Sequence, residues 1–526
     1  MTTIRAFGTM AVMALAAAPL AAQMQNGSAA VTRAAGTITE SDVARRIHII
    51  AHDSMMGRDT PSRGLELTAQ YIADEFKRLG LKPGGENGTF FQRYPITSSQ
   101  LDVAASHIGF MYGGKHVHAE FTKDARRNGG PVPAAGMGGP AVLIAGPLDA
   151  KTLDTAAIRD KVVLWAIDVT RPMPAGASTL GPALIAAGAK AIITVTNRDS
   201  SVFAQRLAGQ SRPVTTLGGA AGDQITVPFV EVHERVLADM FTTAGTSAAE
   251  ARASTAPLVR ALEGVRVMVD MKETKKEASA PNTIGILEGS DPTLRNEYIV
   301  YSAHMDHDGT GKPRAGTTDS IWNGADDDAS GTVGIVELAE AFAQQGARPK
   351  RSIIFMTVSG EEKGLWGSRW FSEHPTVPLA SMVANFNLDM IGRNSGRSKG
   401  DVKQWSDTIV VIGKEHSDLG TTLNRVNAAH PELRMNAIDD IWPEENFYRR
   451  SDHFNFARKG VPILFFFNGT HDDYHQPTDS PDKIDAEKES RILKLLYFLG
   501  QEVGNTAARP QWKPESYKEI VEAPTS

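Results

Sequence analysis

The chain has 526 residues and no cysteine, so disulfides and thiolate metal ligands are excluded and any bound metal must use imidazole and carboxylate. Its length exceeds what one small core needs and predicts two domains. Apolar and charged fractions of 41% and 22% are those of a globular protein, and a net charge of −6 without a basic block argues against nucleic acid as a partner.

At the start of the chain, Arg5 is the only charge before an apolar run, Met10–Leu20, and the small pair Ala21 and Ala22. That layout predicts a signal peptide over residues 1–22. The run is shorter than the roughly 20 residues that span a bilayer, and a lipid anchor would need a cysteine. The expectation is an exported protein with no membrane anchor, in a bacterial periplasm or outside the cell.

A polar, Ala/Gly/Ser-rich linker is expected over residues 23–37, and Thr39 to Asp42 can cap a helix running towards His52. Leu65, Ala69, Ile72, Ala73, Phe76 and Leu79 recur at helical spacing and predict a helix over Gly64–Leu81, stopped by Gly80 and Pro83. A strand is expected at Phe90–Ile96. From about 110 to 262 the texture changes. Short apolar runs (Ala141–Ala145, Lys161–Ile167, Ala191–Thr194, Ile225–Val232) alternate with loops and a helix at Leu180–Gly188, with no clustered acids and histidine. This block reads as a separate domain inserted into a main domain made of residues 38–109 and 263–505.

Strands follow at Val265–Met271, Thr283–Leu287, Tyr298–Ala303, Ser352–Val358, Met382–Leu388 and Val461–Phe467, with helices at Gly331–Gln344 and Ala486–Val503. KETKKE (272–277) reads as a solvated turn and 506–526 as a C-terminal tail. Strands alternating with helices predict an α/β fold, a mostly parallel twisted sheet flanked by helices. In such sheets, sites form beyond the carboxyl ends of the strands.

Those ends are where the reactive side chains collect. His304 lies in AHMDHDG (303–309), where Asp306 can reach back to fix its ring tautomer. Asp326, Asp327 and Asp328 in NGADDDASGT (323–332) repel one another unless exposed or neutralised. They suit either the capped start of the helix at Gly331 or a carboxylate bridging two metal ions about 3.5–4 Å apart. Glu361 and Glu362 in SGEEKGLWGS (359–368) leave the chain in different directions, so one can bind metal while the other faces water; a helix-start acid pair is the alternative. Asp389 in NLDM (387–390) is an acid among apolar neighbours and needs a cation or a donor. Tyr474 and His475 stand in DDYHQPTD (472–479).

Together with NLDMIGR (387–393), SDHFNF (451–456) and DYHQPTD (473–479), these motifs resemble the M28 family of dinuclear zinc peptidases, in the branch with a protease-associated (PA) domain insert, over about 38–505. The resemblance implies two Zn2+ ions: His304 and Asp389 on one, Glu362 and His475 on the other, and Asp327 bridging them. It further implies Glu361 as general base, Asp306 as the group orienting His304, and Tyr474 as stabiliser of the tetrahedral intermediate. Asp452 and His453 match an element near the substrate pocket, where a structural role fits equally well. The implied function is a secreted zinc-dependent exopeptidase acting on peptides, an aminopeptidase by analogy with secreted bacterial relatives. A carboxypeptidase of the glutamate-carboxypeptidase type is the alternative, with Arg393, Arg449 and Arg450 as candidates to clamp a terminal carboxylate. A catalytically silent, receptor-like binding protein is the reading from a different class, and the intact ligand set argues against it.

Overall fold

In the computed structural model, which describes residues 29–132, 136–169, 177–218, 227–314, 316–394 and 405–522, the early helices begin where the sequence places their caps. The Thr39 side chain accepts the Asp42 backbone N–H at 3.1 Å and opens α1 (Glu40–Ile50). Ser62 caps α2 (Arg63–Arg78) in the same way, through Leu65 N–H, and the stripe Leu65, Ala69, Ile72, Ala73 and Phe76 is buried. The expected signal peptide over 1–22 lies outside the described residues, as do residues 23–28 of the expected linker. The rest of that linker differs from expectation. Residues 29–35 are helical, because alanine favours the helix and Ala30, Ala34 and Ala35 find apolar cover.

Two units divide the chain: Met1–Tyr94 with Ser279–Ser526, and Pro95–Ala278, which surrounds the segment expected as an insert at 110–262. In the first, the strands are β1 (Glu273–Leu287, of which Thr283–Leu287 pairs here), β2 (Tyr298–His304), β3 (Ser352–Val358), β4 (Met382–Leu388), β5 (Thr408–Ile412), β6 (Asn436–Ile438) and β7 (Ile463–Phe467). Their order is β6-β5-β7-β4-β2-β3-β1. β2 runs parallel to both β3 and β4, and β4 runs parallel to β7; β1 and β5 are antiparallel to their neighbours β3 and β7. The carboxyl ends of β2, β3, β4 and β7 therefore share one edge. β3 and β4 are buried along their whole length, which is why they read as continuous apolar runs rather than alternating ones.

Helices α3 (Gly331–Ala343) and α4 (Ala486–Asn505) pack on this sheet at Tyr301, whose hydroxyl donates to Leu496 O at 2.8 Å and whose ring lies among Phe342, Phe355 and Phe386. Gly500 is what lets α4 approach so closely, since a Cβ there would stand 1.9 Å from the Tyr301 hydroxyl.

One expectation is corrected, and two further features appear that were not expected. Residues 273–277 of KETKKE are extended and mostly exposed, forming the first part of β1: solvated Lys and Glu side chains are compatible with a strand edge as well as with a turn. β5 was not expected, because its five buried residues are too short a run to stand out between polar neighbours. Residues 506–522 of the expected C-terminal tail are packed. Arg351 is fully buried and donates to Val503 O and Ala507 O, Trp512 donates to Gly460 O, and Ile520 is buried.

The second unit holds an eight-stranded sheet whose parallel centre, Met137–Ala145, Val162–Ile167, Ala191–Thr196 and Phe229–His233, contains the predicted apolar runs; residues 225–226 of the last run lie outside the described residues. Its helix at Ala177–Ala186 is the one expected at 180–188.

Gly500→Ala is expected to lower the unfolding free energy by about 1–3 kcal/mol through overpacking, read by urea denaturation. An unchanged midpoint would show that α4 can shift at no cost.

Candidate metal centre

Four strand ends deliver the site. His304 closes β2, Glu361 and Glu362 follow β3, Asp389 follows β4, and Tyr474 and His475 follow β7. Asp327 comes from the loop 325–330 that leads into α3, with a backbone conformation outside the helical range. His304 Nε2 lies 3.2 Å from Asp327 Oδ1 and 3.6 Å from Asp389 Oδ1. His475 Nε2 lies 3.2 Å from Asp327 Oδ2 and 3.2 Å from Glu362 Oε2. One carboxylate thus serves two imidazoles, one through each oxygen, and each imidazole has a second carboxylate beside it.

These spacings fit a tetrahedral ion. With zinc–ligand distances of about 2.0–2.1 Å, neighbouring ligand atoms on a tetrahedron stand about 3.3 Å apart. Direct hydrogen bonds between the same groups would be about 2.7–2.9 Å. Asp327 Oδ2 is buried and has no hydrogen-bond partner within the chain, as a metal-facing oxygen should be. Two groups of candidate ligands are present among the described residues: His304 with Asp327 and Asp389, and Asp327 with Glu362 and His307. His475 completes the second through the contacts above. The donor set is nitrogen and oxygen only, which zinc accepts.

The charge balance points the same way. Burial alone would lower the His304 pKa, yet Asp389, Asp327 and Asp328 raise it well above the usual imidazole range. Burial would lower the His475 pKa, but the Asp327 and Glu362 carboxylates beside it push it up to about 10. Asp327 is held well below the carboxylate range by His304 and His475 against the effect of burial. The cluster is a sink for positive charge.

Each member of the Asp326–Asp328 run has its own task. Asp328 accepts the backbone N–H groups of Gly331, Met390 and His304 at 2.9, 3.2 and 3.1 Å, pinning the end of β2 to the start of α3. Asp326 accepts Gly392 N–H at 2.7 Å and lies 3.1 Å from His471 Nε2. Asp479 receives the N–H groups of Asp326 and Asp327 at 2.9 and 3.1 Å and so sets the loop from outside. Only Asp327 keeps an oxygen free.

The other expected residues fall as follows. Asp306 has its backbone carbonyl 3.2 Å and its carboxylate 3.8 Å from His304 Nδ1; its carboxylate accepts from Thr60 and from Glu361 N–H, and burial pushes it up to about 6. Glu361, Asp389, Tyr474, His475 and His304 all line one open recess. Burial, together with Asp452, Asp389 and Glu362, raises the Glu361 carboxyl well above its usual range despite His304. Tyr474 stacks on His475 at 3.8 Å, and burial raises its pKa so that the hydroxyl keeps its proton. Apolar side chains of Met390, Phe447, Phe465 and Phe467 and the side chain of Arg450 line the same recess. Asp452 and His453 are fully buried. His453 stacks on Phe465 and donates to Tyr448 O at 2.8 Å, so it stands behind the wall of the recess.

Two residues that sequence reasoning passed over support this arrangement. Ser451 donates to Asp389 Oδ2 at 2.8 Å and leaves Oδ1 towards His304. Arg58 is fully buried beneath the site and donates to four backbone carbonyls: Met305 and Gly324 at 2.9 Å, Ile50 at 3.0 Å, and Asn323. It ties the loop after His304 to the loop before Asp327. Burial lowers its pKa to about 10, with Asp306, Asp327, Asp328 and Asp479 opposing, so it stays charged at neutral pH. A lone arginine between MMG and DTP carries no motif that could have announced this. His307 and Asp479 did stand inside the recognised motifs.

A carboxylate–imidazole cluster at the strand ends of an α/β sheet is the arrangement of metal-dependent hydrolases. Residues 282–499 match the family described as Peptidase family M28. A protein of Pyricularia oryzae named "Probable zinc metalloprotease" is 29% identical over 223 residues, 36% of this chain and 43% of the relative. A protein of the same name from Pyrenophora tritici-repentis is 34% identical over 217 residues, 36% of this chain and 49% of the relative. The chain thus spans less than half the length of these curated relatives. Among solved structures, an aminopeptidase from Aneurinibacillus sp. strain AM-1 shares the fold with a TM-score of 0.50 and 19% identity, covering 94% of this chain and 98% of that one.

Arg58→Met is expected to lower the stability of the metal-free protein by about 3–5 kcal/mol, since four buried carbonyls lose their donor among acids left without their cation. Urea unfolding reads this, and a loss below about 1 kcal/mol would contradict the role given to Arg58.

Proposed function

We propose that this protein is a zinc-dependent exopeptidase, an aminopeptidase, that holds two zinc ions about Asp327. The observation that carries this reading is the shared carboxylate: Asp327 divides its two oxygens between His304 and His475 at 3.2 Å each. His304 and Asp389 would hold one ion, Glu362 and His475 the other. Zinc bound there supplies a Lewis acid that polarises a peptide carbonyl and acidifies water, towards a pKa of about 7 in favourable single-zinc sites.

The chain's own residues do the rest. Glu361 lines the recess as a carboxylate with a raised pKa, suited to accept a proton from water and to return it to the leaving amine. The protonated Tyr474 hydroxyl can donate to the oxygen on which negative charge develops, a contribution of about 3–4 kcal/mol for a well-placed donor. Asp306, fixed by Thr60 and by Glu361 N–H, couples the position of the base to that of His304.

The charges around the recess favour an amino terminus over a carboxyl terminus. Glu361 and Asp389 line it and attract an ammonium group. Of the three arginines considered for a carboxylate clamp, Arg393 is buried and paired with Asp473 and Asp479, and Arg449 lies over Phe454. Only Arg450 lines the recess, and it stacks on Phe447 at 4.6 Å. The same reading takes the Pro95–Ala278 unit as a PA-type insert, on its place in the chain and its strand-rich α/β content, and takes the protein as exported, on the layout of residues 1–22.

Glu361→Gln is expected to keep the fold and the metal while lowering turnover about 10²–10⁴-fold; wild-type rates would remove Glu361 as the base. With the unaltered protein, peptides blocked at the carboxyl end should be cleaved and those blocked at the amino end should resist. The reverse pattern would make the enzyme a carboxypeptidase and turn attention to Arg450.

A further inference from the structure

We propose that His307 is a positioning residue that locks the Glu362 carboxylate, taking one of its oxygens and presenting the other to the metal. His307 lies three residues beyond His304, in the same AHMDHDG stretch, and is fully buried. Its Nδ1 is 2.8 Å from Glu362 Oε1, whereas Glu362 Oε2 faces His475 Nε2 at 3.2 Å. The two oxygens of one carboxylate are thus assigned to different imidazoles.

The two contacts differ in kind. A separation of 2.8 Å is that of a hydrogen bond to a carboxylate, and is shorter than the about 3.3 Å edge between ligands on one tetrahedral zinc ion. The second candidate carboxylate, Asp327 Oδ2, is 3.8 Å from His307 Nδ1. With Glu362 as acceptor, Nδ1 carries the proton, and Nε2, which is buried with no partner in the chain, is the bare lone pair. This is the tautomer that leaves no buried N–H unpaired. His307 is therefore a donor to a ligand rather than a ligand.

The ring is held where it is. A Cβ at Gly324 would come within 2.5 Å of His307 Cγ, so the loop before Asp327 presses its backbone against the imidazole, and His307 N–H bonds to Arg58 O at 3.4 Å. Glu362 has three side-chain torsions, and a free carboxylate could offer either oxygen or both. A fixed imidazole on Oε1 removes that freedom, as partners of ligating carboxylates do, and losing such a partner typically costs 10–100-fold in metal affinity.

This inference rests on the two-zinc reading, and the experiment separates the two. The full chain, stripped of metal, is titrated with zinc chloride against a chromogenic chelator, alongside His307→Phe, His307→Gln and His307→Asn. An asparagine amide nitrogen can stand where Nδ1 stands, whereas that of glutamine reaches the Nε2 position and phenylalanine has no donor. The Phe and Gln variants are expected to lose about 10–100-fold in affinity at one of two sites with the other site unchanged, and the Asn variant to recover most of the loss. Unfolding midpoints of the metal-free proteins separate this from a merely structural effect, which would follow the midpoints and not the donor position. Wild-type affinity in the Phe variant, or equal losses in the Asn and Gln variants, would overturn the proposal; if the Phe variant does not fold, the Asn–Gln comparison decides alone. A wild type that takes up a single ion whose affinity still depends on the Nδ1 donor would uphold His307 and remove the two-ion reading.

Discussion

The carboxylate of Asp327, buried between His304 and His475 with Asp389, Glu362, Asp306 and Asp328 around it, is the constraint the rest of the structure answers to. Two like charges 4 Å apart repel by about 4 kcal/mol at an effective dielectric of 20, so a fold that gathers this many acids needs cations and donors at the same place. It supplies both. Two imidazoles stand against Asp327, an arginine lies beneath, and peptide N–H groups converge on Asp326, Asp328 and Asp479. What these leave unmet is the pair of positions on either side of Asp327, which is where the proposed function would put its metal ions.

The parallel strands explain why such a cluster can be built at all. β2, β3, β4 and β7 end on one edge, so His304 and His475, 171 positions apart in the chain, meet there. The loop that carries Asp327 is the less regular part, and the structure over-determines it with Asp479 on one side and Arg58 on the other. Arg58 comes from the helical segment before residue 94, outside the span 282–499 that carries the family likeness. The amino-terminal helices are thus part of the site's foundation and not an appendage to it.

The sequence showed the chemistry of the site better than its support. His304, Glu361, Glu362, Asp389 and His475 follow strands in short polar motifs and Asp327 stands in one before a helix, and a buried apolar strand followed by an acid is a pattern that survives without knowledge of the fold. β3 and β4 could be placed to the residue for the same reason. Arg58 was illegible because its partners are carbonyl oxygens, which no side-chain pattern encodes. His307 was visible but undecidable: only the direction of its Nδ1 towards Glu362 distinguishes a donor from a ligand. β5 and the packed segment after Asn505 were hidden by brevity, and the KETKKE stretch by charge, since exposed strand and solvated turn have the same composition.

The most direct test of the account is anomalous diffraction at the zinc absorption edge from crystals grown with zinc. Two peaks are expected on either side of Asp327, one within about 2.0–2.2 Å of His304 and Asp389 and the other at the same distance from Glu362 and His475. A single peak, or a peak ligated by His307 in place of His475, would contradict it.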